Sequence, residues 1–184
     1  MIEKVFSETI FFTGQVGPKN LFEIDKKEIL YNIAESYYED KYVEDTDYLE
    51  IVNSKAINQL SHWWKDTYFF YRSTKNKIFY KIIPHKNYGY HILPSDCTLK
   101  KNHINPFDLH HSPDYVFLYC VDVQKDSSQL VIEFDDHRRK NRWWKVNLEN
   151  NYFYFFPSSL NYYITKNKSN KINTLLIQTY EEIR

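Results

Sequence analysis

Few side chains in this sequence stand in a pattern that supports a known kind of chemistry. Its three glycines form no Gly-rich phosphate loop, and no serine lies in a nucleophile elbow. The two cysteines, Cys97 and Cys120, form no Cys-x-x-Cys metal motif, and Cys120 lies in an apolar run typical of a buried core thiol. A nucleophile pair of Cys97 with His91 or His103 stays open, although no other feature supports it.

The length and the charge of the chain limit its number of domains and its kinds of partner. The 184 residues suit one domain with a real core. Lys+Arg and Asp+Glu number 24 each, so no global field favours nucleic acid or an anionic membrane. The first residues do not resemble a signal peptide, and no apolar run reaches the ~20 residues that span a bilayer. We expect a cytoplasmic protein, or one assembled into a virus particle, and not a secreted one.

The first part of the chain predicts a strand followed by two helices. Residues 5–13 are rich in aromatic and β-branched side chains and end at a glycine, which favours a strand. Residues 19–40 have helical spacing, with Asp25 as a candidate cap and Glu28 three residues later, as in a capping box. Residues 54–71 predict a second amphipathic helix. Its apolar stripe consists of Ile57, Leu60, Trp64 and Tyr68.

The rest of the chain predicts short strands separated by turns. The expected strands are 78–83, 88–93, 115–123, 129–134, 143–146, 152–156, 162–165 and 174–180, with Pro84-His85 between the first two and a polar loop at 96–106. About eight such strands are typical of a jelly roll. The predicted class is α+β, mainly β: a double-stranded β-helix (jelly roll) with two N-terminal helices packed on the sheet. We expect one domain over 1–184, with the N-terminal strand and helices in 1–75 and the jelly-roll strands in 76–184.

The most highly charged segment is the predicted loop 135–142, whose sequence is DDHRRKNR. Its four Lys and Arg side chains could bind a phosphate or an acidic partner. A solvated hairpin loop explains them more simply. Nucleic acid is not expected as a partner, because salt-sensitive binding to it generally needs a wider basic footprint.

The last strands also carry a resemblance to a known family. The stretch FPSSLNYYITKNKSNKINTLLIQTY resembles the C-terminal end of the small Fe(II)/2-oxoglutarate-dependent oxygenases common in bacteria and marine phages. The positions that keep the family's pattern are Phe156, Pro157, Ser158, Leu160, Ile164 and Asn167. The resemblance covers about the last 80 residues well and the first 100 in outline.

The resemblance implies a site for iron and 2-oxoglutarate. The family holds iron with two histidines and one carboxylate on one face. The first two ligands fall on Asp108 and His110, in inverted order, and the third histidine falls on Tyr162. Either His111 or His103 could substitute for a missing ligand. The arginine that pairs with the far carboxylate of 2-oxoglutarate falls on Lys171, which offers a point charge instead of a fork.

Two functions from different classes follow from this altered set. The first, which we favour, is an oxygenase-like jelly roll that has lost catalysis and acts as a binding or structural module, for which a phage particle is one setting. It needs no cofactor and predicts protein partners or self-assembly, with no membrane partner. The alternative is an active, divergent Fe(II)/2-oxoglutarate-dependent dioxygenase, a hydroxylase that uses both cofactors.

Overall fold

The computed structural model describes residues 9–17, 23–39, 49–74, 81–94, 99–101, 111–137 and 140–183. Within these ranges the elements are β1 Phe12–Gln15, α1 Lys26–Glu39, β2 Leu49–Glu50, α2 Lys55–Thr74, β3 Lys81–Ile92, β4 Leu99–Lys101, β5 Tyr115–Asp122, β6 Gln129–His137, β7 Lys140–Asn147, β8 Tyr152–Pro157, β9 Asn161–Ile164 and β10 Asn173–Ile183. None of the helices in these ranges is both long and apolar enough to cross a membrane.

The strands form two antiparallel sheets. The larger sheet has the order β1-β8-β5-β10-β3-β2, and the smaller has the order β4-β9-β6-β7. Apart from the hairpin β6–β7, successive strands from β3 to β10 fall in different sheets, which is the winding of a jelly roll. Strands β1 and β2 extend the larger sheet at its two edges. The predicted fold, a mainly-β jelly roll with N-terminal helices, is confirmed.

Apolar side chains fill two cores, one on each face of the larger sheet. The helix core lies between the helices and the outer face, and the inner core lies between the two sheets. Because side chains alternate along a strand, β8 sends Phe153 and Phe155 to the helix core and Tyr154 and Phe156 to the inner core. Each of the four consecutive aromatic side chains from Phe153 to Phe156 is therefore buried in one of the two cores.

The helices begin at the predicted residues but are joined by a contact that the sequence did not predict. Asp25 caps α1, since its Oδ1 accepts the N–H groups of Lys27 and Glu28 at 3.0 and 3.1 Å. The Glu28 carboxylate instead accepts the N–H of Ala56, in the first turn of α2, at 3.2 Å. Asp25 thus caps α1 and Glu28 caps α2, and the contact made by Glu28 fixes α2 against α1. The stripe predicted on α2 is buried in the helix core as expected.

Several predicted boundaries were wrong. The two strands expected on either side of Pro84 form the single strand β3, whose register against β10 shifts opposite Pro84. A bulge of this kind accepts a residue that has no N–H to donate. The predicted loop 96–106 contains β4, and the predicted loop 135–142 is largely the end of β6 and the start of β7. The first strand, predicted over 5–13, is Phe12–Gln15: residues 9–11 are described and lie outside any strand, and residues 5–8 lie outside the described residues.

Candidate functional site

Tyr162 is the described member of the predicted iron-binding set, and it lies in the inner core. It stands on β9, where its backbone is paired with Lys101 of β4 and Ile132 of β6. Its side chain is 1% exposed, and its ring meets the ring of Phe156 edge-on, with centroids 5.3 Å apart. Ile164, two residues along the same strand, belongs to the same apolar cluster. The phenol is thus held by packing between the two sheets.

The turn between β9 and β10 is organised by Asn167, one of the residues that carry the resemblance. Its Nδ2 donates to the carbonyl oxygens of Ile92 and Lys171 at 2.9 and 2.8 Å. Its Oδ1 accepts from the backbone N–H and the hydroxyl of Ser169. Asn167 is 1% exposed, whereas Lys171 is exposed. The motif asparagine therefore has a structural role: it holds the turn to the end of β3 and fixes the backbone at Lys171.

The described part of the chain does not bring the other predicted iron ligands together. Asp108, His110 and His103 lie outside the described residues. His111 is described and exposed, in the turn before β5. Within the described residues, no three His, Cys, Asp or Glu side chains are grouped so that they could hold a metal ion. The ligand set inferred from the resemblance thus stays a prediction.

The nucleophile pair considered from the sequence also lacks one of its partners, because Cys97 lies outside the described residues. His91 is half-buried on β3, with its Nδ1 2.9 Å from the hydroxyl oxygen of Thr174 and its ring 4.6 Å from that of Tyr37. Burial lowers the pKa of His91, which favours the neutral imidazole. Cys120 is buried as predicted, and its burial raises the pKa of the thiol and makes it unreactive.

Solved structures with a similar fold include an Fe(II)/2-oxoglutarate oxygenase and prolyl hydroxylases. An oxidoreductase of the 2OG-Fe(II) oxygenase family from Burkholderia pseudomallei is 9% identical, with a TM-score of 0.55 over 85% of this chain and 77% of that one. A prolyl-4-hydroxylase from Pseudomonas putida is 7% identical, with a TM-score of 0.59 over 95% and 93% of the two chains. The chain has an oxygenase-like fold.

A truncated form of a viral enzyme has a similar fold over the full extent of this chain. The viral collagen prolyl hydroxylase vCPH from Paramecium Bursaria Chlorella virus-1 is 6% identical, with a TM-score of 0.57 over 100% of this chain and 98% of that one. No protein-family model and no curated protein sequence matches the chain. Structural similarity at identities this low supports the fold that the resemblance predicted. Any catalytic chemistry has to be inferred from the side chains of this chain.

Tyr162, the described residue of the predicted iron-binding set, suits an iron ion poorly. Imidazole and carboxylate are the ligands that suit non-haem Fe(II), whereas Tyr162 offers a phenol that must first lose its proton. Its ring packs among apolar side chains of the inner core such as Phe156 and Ile164. The arrangement can fill and stiffen the interior of the jelly roll. We therefore derive no reaction step through iron from these side chains.

A surface depression of about 250 Å³ lies away from this interior. It is formed by α2 and the ends of β3 and β10, and its lining includes Phe69, Ile83 and Ile183, which are all partly exposed. The residues around it that belong to a core belong to the helix core, on the other face of the larger sheet. The depression is thus separate from the site that the resemblance predicts.

The feature that sequence reasoning underestimated lies on β7. Trp143 is 60% exposed and Trp144 is 40% exposed, the largest exposed aromatic side chains of the described jelly-roll strands. The sequence predicted a short strand here and treated the residues before it as a solvated loop. The available signal was a pair of consecutive tryptophans flanked by Arg142 and Lys145, with no alternation that would bury both rings.

Proposed function

We propose that this protein is an oxygenase-fold module that has lost iron catalysis and acts by binding or by assembly. The observation that carries the proposal is the burial of Tyr162 against Phe156. The resemblance assigns the third iron ligand to Tyr162, and a packed phenol is a poor replacement for an imidazole. The fold would then serve as a rigid scaffold that presents its surface to a partner.

The residue assigned to 2-oxoglutarate supports the same proposal. Lys171 is exposed in the turn that Asn167 organises. An ammonium at this position lacks the two parallel donors with which an arginine binds a carboxylate. Its exposure also leaves the charge in water, where attraction to a carboxylate is weak. Protein partners or self-assembly, in the cytoplasm or in a phage particle, are the settings that we propose for the module.

The test is an anaerobic Fe(II) titration by calorimetry, with and without 2-oxoglutarate. We expect the native protein to give heats equal to those of dilution, because the third nitrogen ligand is missing. Tyr162→His serves as a comparison, since it adds an imidazole at the position in question. Micromolar Fe(II) binding by the native protein that His110→Ala or His103→Ala abolishes would refute the proposal.

A second function is favoured by a different observation. The strands β3 to β10 wind as a jelly roll, and the fold is similar to that of a 2OG-Fe(II) oxygenase. Strand β4, paired at Lys101 with Tyr162, ends two residues before His103 in the sequence. A divergent dioxygenase would use Asp108 and His110, with His103 or His111 as the remaining ligand, and Lys171 for 2-oxoglutarate. Bound iron would supply oxygen activation. Consumption of 2-oxoglutarate that depends on added Fe(II) would support this function over the first.

A further inference from the structure

The edge of the smaller sheet is formed by β7. This strand pairs with β6 from Lys140 to Asn147, and no other described strand pairs with its far side. An edge strand presents a row of backbone N–H and C=O groups that can pair with another chain. Eight residues in extended conformation are enough to accept a short peptide as an added strand.

The side chains of β7 combine positive charge with aromatic surface. The strand has the sequence KNRWWKVN, with three cationic residues and no carboxylate, in a chain of zero net charge. The Lys145 ammonium lies 4.1 Å from the centre of the Trp143 ring, on the same side of the strand. Trp144 stands on the other side, where its ring meets that of Phe11 at 4.5 Å and remains 40% exposed.

The charges alone have an ordinary explanation, but the tryptophans do not. Lysine and arginine on an edge strand discourage unwanted pairing between sheets. Large exposed aromatic rings have the opposite effect, and tryptophan and arginine are the residues most enriched at the energetic centres of protein interfaces. Trp143 and Trp144, with Arg142 and Lys145 beside them, therefore indicate a surface that binds a selected partner and repels others.

Charge and backbone geometry identify the class of partner. A second copy of β7 is disfavoured, because two such strands side by side would bring lysine and arginine of both copies together. A nucleic acid would match the charge and could stack on Trp143, but it offers no backbone donors and acceptors to the strand edge. Its binding also generally needs a wider basic surface than one strand. An acidic polypeptide could pair its carboxylates with the cationic side chains of β7 and its backbone with the open edge of the strand.

We propose that β7 is a docking edge for an extended acidic segment of a partner protein, which adds to the smaller sheet as a further strand. The backbone of the segment would pair with the open side of β7, and its carboxylates would meet Arg142 on one face of the strand and Lys145 on the other. The rings of Trp143 and Trp144 would cover its apolar side chains. This proposal is independent of iron, so it holds for a catalytically inactive module and for an active enzyme alike.

The test measures binding of a fluorescein-labelled, eight-residue peptide by anisotropy, in EDTA. Pairs of glutamates alternate with pairs of valines in this peptide, so that each face of its strand carries both kinds of side chain. Micromolar binding that weakens as salt rises is the expected result. The double variant Arg142→Glu/Lys145→Glu should weaken binding at least 10-fold, and Trp143→Ala should weaken it several-fold. The matched control, Lys125→Glu/Lys168→Glu, makes the same charge change at two exposed lysines outside β7 and should bind like the native protein.

Two modified peptides test the strand pairing itself. N-methylation of every residue removes the donors on both edges of the peptide and keeps its charge, whereas methylation of every second residue removes those on one edge. The fully methylated peptide should lose binding and the half-methylated peptide should keep it, because one intact edge is enough to pair with β7. Equal binding by both would overturn the proposal, since it would reduce the interaction to charge alone. Failure of the native protein to bind the peptide, or tighter binding of an oligo(dT) strand or of phosphatidylserine vesicles, would also overturn it.

Discussion

Tyr162 and Tyr163 are neighbours in sequence with opposite environments. The register of β9 pairs Tyr162 with Ile132 and Tyr163 with Val131, so the two side chains leave the smaller sheet on opposite faces. Tyr162 is buried in the inner core, and Tyr163 is half-buried on the outer face. The apolar run alone could not assign the inward position to one of the two. The register against β6, a contact between distant parts of the chain, assigns it to Tyr162.

Because Tyr162 and Tyr163 are buried to different extents, replacing each with alanine should lower the free energy of unfolding by different amounts. Tyr162→Ala should lower the free energy of unfolding by about 3 kcal/mol or more, because a large aromatic side chain is lost from a packed interior. Tyr163→Ala, the matched control on the same strand, should cost about 1 kcal/mol or less. Urea denaturation followed by circular dichroism measures both. Equal costs for the two variants would contradict the burial of Tyr162.

At the scale of elements, α1 packs closely against the larger sheet at Gly89 of β3. A Cβ atom at this position would lie 2.8 Å from both Cγ1 and Cγ2 of Ile33, which is closer than packed atoms approach. Glycine is therefore required by the helix above the strand and not by its backbone angles. The N–H of His91, two residues further along β3, donates to the Tyr37 hydroxyl at 3.2 Å and ties the same helix to the sheet.

Substitution at this contact should be non-additive. Gly89→Ala should destabilise the protein by about 1–3 kcal/mol through overpacking, and Ile33→Ala by about 2–5 kcal/mol through the loss of buried methyl groups. The double variant should cost less than the sum by about 1 kcal/mol or more, because the alanine at Ile33 leaves room for the new Cβ. Urea denaturation of the four proteins in this cycle gives the coupling.

Gly14→Ala is the control for this prediction. A Cβ at Gly14 would lie 3.3 Å from the ring of Phe153, a milder overlap than the 2.8 Å contacts at Gly89, so the cost should be smaller than at Gly89. Strict additivity between Gly89 and Ile33 would mean that α1 does not press on β3 at this point.

Comparison of the predicted with the observed strands shows which features of the fold the sequence can predict and which it cannot. Strands flanked by local turn signals, such as those of 152–156 and 174–180, were found nearly where β8 and β10 lie, and the stripe on α2 identified its buried face. The strand break predicted at Pro84 failed because pairing with β10 continues past the proline through a bulge. The loop predicted over 135–142 failed because pairing between β6 and β7 outweighs the polar composition of these residues.

At the scale of the molecule, the two cores bury many titratable hydroxyl and thiol groups. Cys120 and Tyr180 are fully buried, and Tyr119 and Tyr154 are buried with their hydroxyl groups bonded to Asn151 and to a backbone oxygen. Burial raises the pKa of each of these four groups, because the charged form loses its hydration. The aromatic packing that fills this oxygenase-like fold therefore depends on keeping these groups protonated.

This dependence predicts a loss of stability at alkaline pH. In the unfolded chain the thiol and the phenols release protons near their ordinary pKa values of 9.0 and 10.0, whereas the native protein retains them. The unfolded state then binds fewer protons, so the free energy of unfolding falls as pH rises. Each group contributes about 1.4 kcal/mol per pH unit above its unfolded pKa. Urea midpoints at pH 8, 9.5 and 10.5 measure the fall.

A variant pair assigns the onset of this fall to particular groups. In a Cys97→Ser background, which leaves one thiol, stability should begin to decrease near pH 9 because of Cys120. Adding Cys120→Ala lowers stability at every pH but should delay the onset to about pH 10, where the phenols of the unfolded chain ionise. A midpoint that stays constant to pH 10.5 would mean that the tyrosines ionise in the folded protein. The inner and helix cores would then be open to water, and the interior of the jelly roll would be accessible to a ligand.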